Sequence, residues 1–128
     1  MRGGMKMGRI RTRKREMSER HKNAMTYALK KIQQSPIAVY VKNVILYGSC
    51  ARGEASWGSD VDLCVLLNKD VRKLPNYAQI IHLLKGTISE DDAHSAETDI
   101  KFVIGDEWQN SGMLYFKNLR KDGIPVWQ

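Results

Sequence analysis

Two aspartates, Asp60 and Asp62, stand two positions apart where a strand is predicted to begin. Alternate residues of a strand point to the same face, so their Cβ atoms would lie roughly 7 Å apart. Like charges at that separation repel unless a cation lies between them or one carboxyl is protonated. A pair of Mg²⁺ ions fits, because hard cations bind carboxylate oxygens and two ions about 4 Å apart can clamp a phosphoryl transfer. Asp99 would complete a cluster of three, and the alternative is three solvated acids at strand ends.

A candidate phosphate-binding turn precedes these acids. The apolar run 44–47 indicates a buried strand, and Gly48-Ser49 follows it directly. A strand that ends in Gly-Ser and runs into a short helix offers backbone N–H groups and a hydroxyl to an anion. Arg52 in the same turn could neutralise phosphate charge or could pack along its helix as a surface residue. Alone this would be an ordinary strand-to-helix turn, but turn and acidic strand occur together, in the order that phosphate chemistry needs.

Hydrophobic periodicity predicts the elements that must position these side chains. The pattern indicates a helix over 16–34, strands over 44–47, 60–67 and 97–104, a helix opened by Pro75, and a last helix capped by Asp106. Within the second strand, Asp60, Asp62 and Cys64 share one face. The buried stripe of the last helix is predicted to include Trp108, Gly112, Tyr115 and Leu119. This order predicts an α+β fold, a small mixed β-sheet of about three strands with helices packed on it.

The motif resembles the signature of the DNA polymerase β-type nucleotidyltransferase superfamily. Gly48-Ser49, ten intervening residues and then Asp60-Val61-Asp62, with Ser59 before the first aspartate, carry the resemblance. The chain is more narrowly similar to the minimal nucleotidyltransferase branch, over residues 41–128. The resemblance implies the polymerase β-like nucleotidyltransferase fold. It also implies a reaction in which an acceptor oxygen attacks the α-phosphate of a nucleoside triphosphate and pyrophosphate leaves.

The resemblance also implies a role for each matching residue. Gly48 and Ser49 would hold the triphosphate. Asp60 and Asp62 would bind two Mg²⁺ ions, and Asp99 would ligate the catalytic ion and help to deprotonate the acceptor hydroxyl. Lys101 is predicted on the same face as Asp99, where it could pair with a carboxylate in place of metal or contact the triphosphate.

Proteins of this branch often act as antitoxins, which implies transfer of AMP from ATP to a tyrosine of a HEPN-type toxin. The small size agrees with this role, because a partner would supply the acceptor surface. Two alternatives stay open at this point. The acceptor could instead be a small molecule or RNA, or the chain could be a catalytically silent module that binds a partner.

Composition limits the remaining possibilities. With 128 residues, of which 42% are hydrophobic, the chain is expected to fold as one domain over 16–128. Residues 1–15 hold seven of the 21 Lys and Arg residues and no acid, which leaves fourteen of each sign elsewhere. This stretch is predicted to be a flexible basic arm, either solvated or in weak contact with nucleic acid.

The cysteines and histidines give no sign of a structural metal site. Cys50 and Cys64 are predicted to be reduced thiols, and His94 is explained as part of a solvated acidic turn, since none has zinc-site spacing. No apolar run is long enough to span a membrane, and no secretory signal is recognisable. A cytoplasmic location is therefore expected.

Overall fold

The computed structural model describes residues 16–90 and 96–127. Its elements in chain order are α1 (Glu19–Gln33), β1 (Val41–Tyr47), α2 (Gly48–Arg52), β2 (Val61–Leu67), α3 (Tyr77–Ser89), β3 (Thr98–Ile104), α4 (Leu114–Asp122) and β4 (Ile124–Pro125). The predicted α+β fold is confirmed. The expected basic arm and His94 lie outside the described residues. Within the described ranges, no helix combines the length and apolar character needed to cross a membrane.

The strands form one mixed sheet in the order β3-β2-β1-β4. β1 and β2 are antiparallel, whereas β2 and β3 are parallel and are joined by a crossover that contains α3. β4 adds a strand to the three expected, with Ile124 and Pro125 paired antiparallel to β1. Two residues are too short to produce a periodic pattern, and proline is tolerated there because β4 lies at the edge of the sheet.

The two faces of the sheet are covered unequally. One face carries the main core, in which Val61, Leu63 and Val65 of β2 pack with apolar residues of α1 and α3. The opposite face has a smaller cluster beneath α4, with Cys64 and Leu119 fully buried. The alternation in β2 puts Asp62 on this second face, beyond the end of the smaller cluster. Its carboxyl therefore sits where the sheet is only partly covered.

The last helix differs from its prediction. Residues Glu107–Gln109 form a separate 3₁₀ turn, and α4 begins only at Leu114. Asp106 makes no capping hydrogen bond, because its carboxylate pairs with Lys42 of β1 instead. The guanidinium of Arg120 donates to backbone carbonyls of Trp108 and Ser111, which stabilises the non-helical connection. Gly112 in this connection also favours a break, since glycine is a poor helix former.

Candidate active site

One end of the sheet brings the predicted acids together. β1 ends at Tyr47, β2 begins at Val61 and β3 begins at Thr98, so these ends meet at one edge. The register pairs Tyr47 with Asp62, and Asp62 with Asp99. Residues directly paired across strands point to the same face, so these three side chains form one row across the sheet. The row lies on the face that α4 covers in part.

The electrostatics of Asp62 reflect its neighbours. Burial, followed by repulsion from the Asp99 and Asp60 carboxylates, raises the pKa of the Asp62 carboxyl from 3.8 to about 6. Lys101 and Arg52 act in the opposite direction. Asp60 and Asp99 are therefore close enough to oppose the ionisation of Asp62. A half-buried carboxylate that repels its neighbours is stabilised by an added cation.

Lys101 supplies a cation from within the chain. Its Nζ lies 3.2 Å from Oδ2 of Asp99, and both side chains are about half exposed. Burial lowers the pKa of Lys101, but the hydrogen bond to Asp99 and the nearby acidic groups outweigh this effect, so that the pKa is raised overall. Lys101 therefore stays charged and partly compensates the negative charge of Asp62 and Asp99.

The Gly48-Ser49 turn packs directly against Asp62. Gly48 has a φ of +73°, and a Cβ at this position would lie 2.2 Å from Oδ2 of Asp62. Only glycine allows both this backbone conformation and this approach. Ser49 follows in the first turn of the five-residue helix α2, half-buried. The predicted turn and the predicted acid are thus neighbours in space.

Arg52 and Asp60 are placed less centrally. The Nε of Arg52 donates to Oε1 of Glu54 at 2.8 Å in an exposed ion pair, so the guanidinium is held at the surface. Asp60 is exposed, and it lines an open groove of about 310 Å³ with Arg20 and Trp57. Asp60 still contributes to the repulsion at Asp62.

Tyr47 in this row and Tyr115 beside it had no functional role in the sequence interpretation. The rings of Tyr47 and Tyr115 meet edge to face with centroids 5.4 Å apart. Burial raises the pKa of both hydroxyls. The hydroxyl of Tyr115 is buried near Tyr47 and Cys64, but it makes no hydrogen bond of normal geometry within the described part of the chain. Strand alternation from Ile45 to Tyr47 would have placed Tyr47 on the acidic face.

The acids fit a divalent cation by their chemistry but are not gathered into a finished ligand shell. Carboxylate oxygens are the donors that Mg²⁺ prefers, and Asp62 and Asp99 are paired across two strands. Among the residues that the structure describes, no group of three His, Cys, Asp or Glu side chains is arranged closely enough to hold a metal ion. The ion pair between Lys101 and Asp99 neutralises part of the negative charge of these acids. Cys50 and Cys64 are buried free thiols, as expected.

Comparison with known proteins gives the family. The sequence profile of the nucleotidyltransferase domain matches residues 26–115. A solved structure of a toxin–antitoxin with AMP-PNP is 19% identical, with a TM-score of 0.51, over 82% of this chain and 71% of the other.

A protein of Sulfolobus solfataricus assigned as a nucleotidyltransferase is 15% identical, with a TM-score of 0.44, over 88% of this chain and 90% of the other. No protein of curated function gives a significant match. The profile match covers most of the chain and includes the Gly-Ser turn and all three aspartates, so the chain belongs to the nucleotidyltransferase domain family.

Proposed function

We propose that this chain is a Mg²⁺-dependent nucleotidyltransferase that transfers AMP from ATP to an acceptor hydroxyl. The observation that carries the proposal is the pairing of Asp62 with Asp99 across β2 and β3, with Gly48 packed against Asp62. Half-buried facing carboxylates beside a glycine turn are suited to a triphosphate with its divalent cations. Burial and the repulsion from Asp99 and Asp60 raise the pKa of Asp62, and a bound cation would relieve the repulsion.

Each residue has a task in the proposed reaction. Asp60 and Asp62 would hold the two ions, and Asp99 would also bind metal and take up the proton of the acceptor hydroxyl. Bound Mg²⁺ supplies charge stabilisation to the phosphates as the acceptor oxygen attacks the α-phosphorus and pyrophosphate leaves. The backbone at Gly48 and the hydroxyl of Ser49 orient the triphosphate.

We propose a protein acceptor, a HEPN-type toxin for which this chain is the antitoxin. The toxin–antitoxin with AMP-PNP that shares this fold supports the proposal. An exposed apolar surface supports it as well, since Met113 and Leu114 are 63% and 71% exposed directly beside Tyr115. Exposed apolar side chains next to a site are typical of surfaces that contact another protein.

A transfer assay tests the proposed function. The purified chain is incubated with Mg²⁺, the product of the neighbouring open reading frame, and ATP labelled at either the α- or the γ-phosphate. We expect the α-label alone to appear on the partner. Asp62→Asn and Asp99→Asn should each lower transfer by roughly 100-fold or more, because metal-based charge stabilisation amounts to several kcal/mol. Asp70→Asn, which alters an exposed acid on the surface, is the control and should retain full activity.

The ion pair between Lys101 and Asp99 favours a second candidate, a catalytically silent module that binds and neutralises a partner. In that case Lys101 would be the permanent counter-ion of the acids. The same assay separates the two functions. Inhibition of the partner that is equal for wild type and Asp62→Asn, without label transfer, would establish the silent module, whereas label on the partner would exclude it.

A further inference from the structure

His21 is a buried polar residue for which the proposed reaction has no use. Its side chain is 2% exposed. Within the described ranges, Thr98 is the only other polar residue that is buried. A polar group at such a depth is costly unless its hydrogen bonds are made. The neighbours of the ring therefore indicate what His21 does.

Both ring nitrogens of His21 have partners. Nε2 lies 2.8 Å from the carbonyl oxygen of Ser59, and Nδ1 lies 2.7 Å from Oγ of Ser18. A carbonyl oxygen can only accept, so Nε2 carries the proton in the neutral ring and donates it to Ser59. Nδ1 then accepts from the Ser18 hydroxyl, which itself caps α1 by accepting from the backbone N–H of His21. The geometry therefore selects one tautomer.

The contact spans 38 positions of sequence and ends one residue before Asp60. The backbone on the other side of Asp60 is also fixed. Its carbonyl oxygen lies 3.5 Å from Sγ of Cys50 in α2, and the N–H of Val61 donates to the carbonyl of Glu97. Helix α1 thus holds the peptide group before Asp60, and α2 and the entry to β3 both hold the peptide group after it. Two of these contacts come from side chains, and the one from His21, at 2.8 Å, is stronger than the one from the weakly donating thiol of Cys50.

We propose that His21 is a positioning residue that sets the placement of the Asp60 carboxylate toward the divalent cation. The inference rests on the proposed function, because it takes Asp60 to be a metal ligand. Asp60 is exposed, and the hydrogen-bonded peptide groups on either side of it fix the backbone from which its carboxylate extends. Groups that orient a ligand in this way influence metal affinity without touching the ion.

Two conservative variants of His21 distinguish its hydrogen bond at Nε2 from its hydrogen bond at Nδ1. The amide of glutamine reaches about as far as Nε2, so His21→Gln retains a donor for Ser59. The amide of asparagine reaches only as far as Nδ1, so His21→Asn loses that donor. His82→Asn is the matched control, since His82 is also on a helix but is exposed. Binding of Mn²⁺ by the full chain is followed by electron paramagnetic resonance without turnover, and circular dichroism checks folding.

We expect His21→Asn to raise the dissociation constant for Mn²⁺ about tenfold, while His21→Gln and His82→Asn stay within about threefold of wild type. In the transfer assay, the half-saturating Mg²⁺ concentration should rise by the same factor for His21→Asn, with little change in KM for ATP. A folded His21→Asn that binds Mn²⁺ like wild type would overturn the inference. So would equal weakening by both His21 variants.

A measurement on the wild-type chain guards against a variant that does not fold. Long-range ¹H–¹⁵N spectra of the imidazole should show the proton of His21 on Nε2, and a proton on Nδ1 would overturn the inference. Failure of the wild type to bind Mn²⁺ would remove the proposed function as well. Normal wild-type binding with an unaffected His21→Asn would remove this inference alone.

Discussion

The carboxyl of Asp62 is strongly affected by the electrostatics of the candidate site. Burial and the Asp99 and Asp60 carboxylates raise its pKa to about 6, so in the absence of metal the folded protein binds a proton more tightly than the unfolded chain does. That contribution to stability is complete below about pH 4, the ordinary pKa, and is lost as the pH rises through 6. Above pH 6 the ionised carboxylate of Asp62 no longer contributes this stability, and a bound cation would offset the loss.

Asp62→Asn should therefore stabilise the metal-free protein at pH 8 but not at pH 3. At pH 8 the substitution removes a repelled, half-buried charge, and we expect a gain on the order of 1–2 kcal/mol. At pH 3 Asp62 is mostly neutral in both the folded and the unfolded chain, so the variant and the wild type should unfold alike. Denaturant unfolding at the two pH values, in the presence of a chelator, gives the comparison. An equal effect at both pH values would show that the pKa of Asp62 is not raised in the folded protein.

Lys101→Met separates the two roles left open for this lysine. The ion pair with Asp99 is about half exposed, and such pairs contribute little, so the free energy of unfolding should change by less than about 1 kcal/mol. If Lys101 contacts the triphosphate, KM for ATP should rise about tenfold, the value of one charge-assisted hydrogen bond. Steady-state transfer kinetics measure this. An unchanged KM together with tighter Mn²⁺ binding would mean that Lys101 only competes with the metal.

Among the elements, the strands and their faces could be predicted because their signal is local. The alternation in β2 and β3 placed Asp62, Asp99 and Lys101 on one face, and the register confirms that they lie together. The structure also confirms that the turn at Gly48 lies beside Asp62. The distance of 2.2 Å between a Cβ placed at Gly48 and Oδ2 of Asp62 could not be predicted from the sequence spacing. The break before α4 depends on long-range contacts of Asp106 and Arg120. Periodicity cannot register contacts with distant parts of the chain.

Gly48→Ala tests the junction of β1 and α2. A left-handed backbone disfavours alanine by on the order of 1–2 kcal/mol, and the new methyl group would collide with Asp62. We expect lower thermal stability and a loss of transfer of about 100-fold, as for a ligand displaced by 1 Å. Gly58→Ala is the matched control, because a Cβ there meets nothing within 4 Å. Wild-type activity in a folded Gly48→Ala would show that this close approach is dispensable.

At the scale of the whole molecule, charge is distributed unevenly along the chain. The formal net charge is +7, and the seven basic residues of 1–15 account for it, since the remainder carries fourteen residues of each sign. The expectation that this stretch is a basic arm comes from composition alone. Nucleic-acid contact through it should depend on counterion release and therefore on salt.

Deletion of residues 1–15 tests that contact. Full-length chain should bind a single-stranded RNA of mixed sequence with an affinity that falls on the order of 10³-fold between about 50 and 200 mM salt. The truncated chain should lose this binding and retain transfer to a protein acceptor. Fluorescence anisotropy and the transfer assay give the two readouts. Equal RNA binding by both forms would assign the contact to the domain, and the absence of binding by either would leave the arm solvated.

The central claim is that Asp62 and Asp99 share a divalent cation beneath the phosphates of a nucleotide. Anomalous diffraction from a crystal soaked with Mn²⁺ and a non-hydrolysable ATP analogue tests it most directly. We expect a manganese peak bound by both carboxylates, the triphosphate against Gly48 and Ser49, and Lys101 moved away from Asp99. A nucleotide bound elsewhere, or an acidic row without manganese in which Lys101 still pairs with Asp99, would contradict the account.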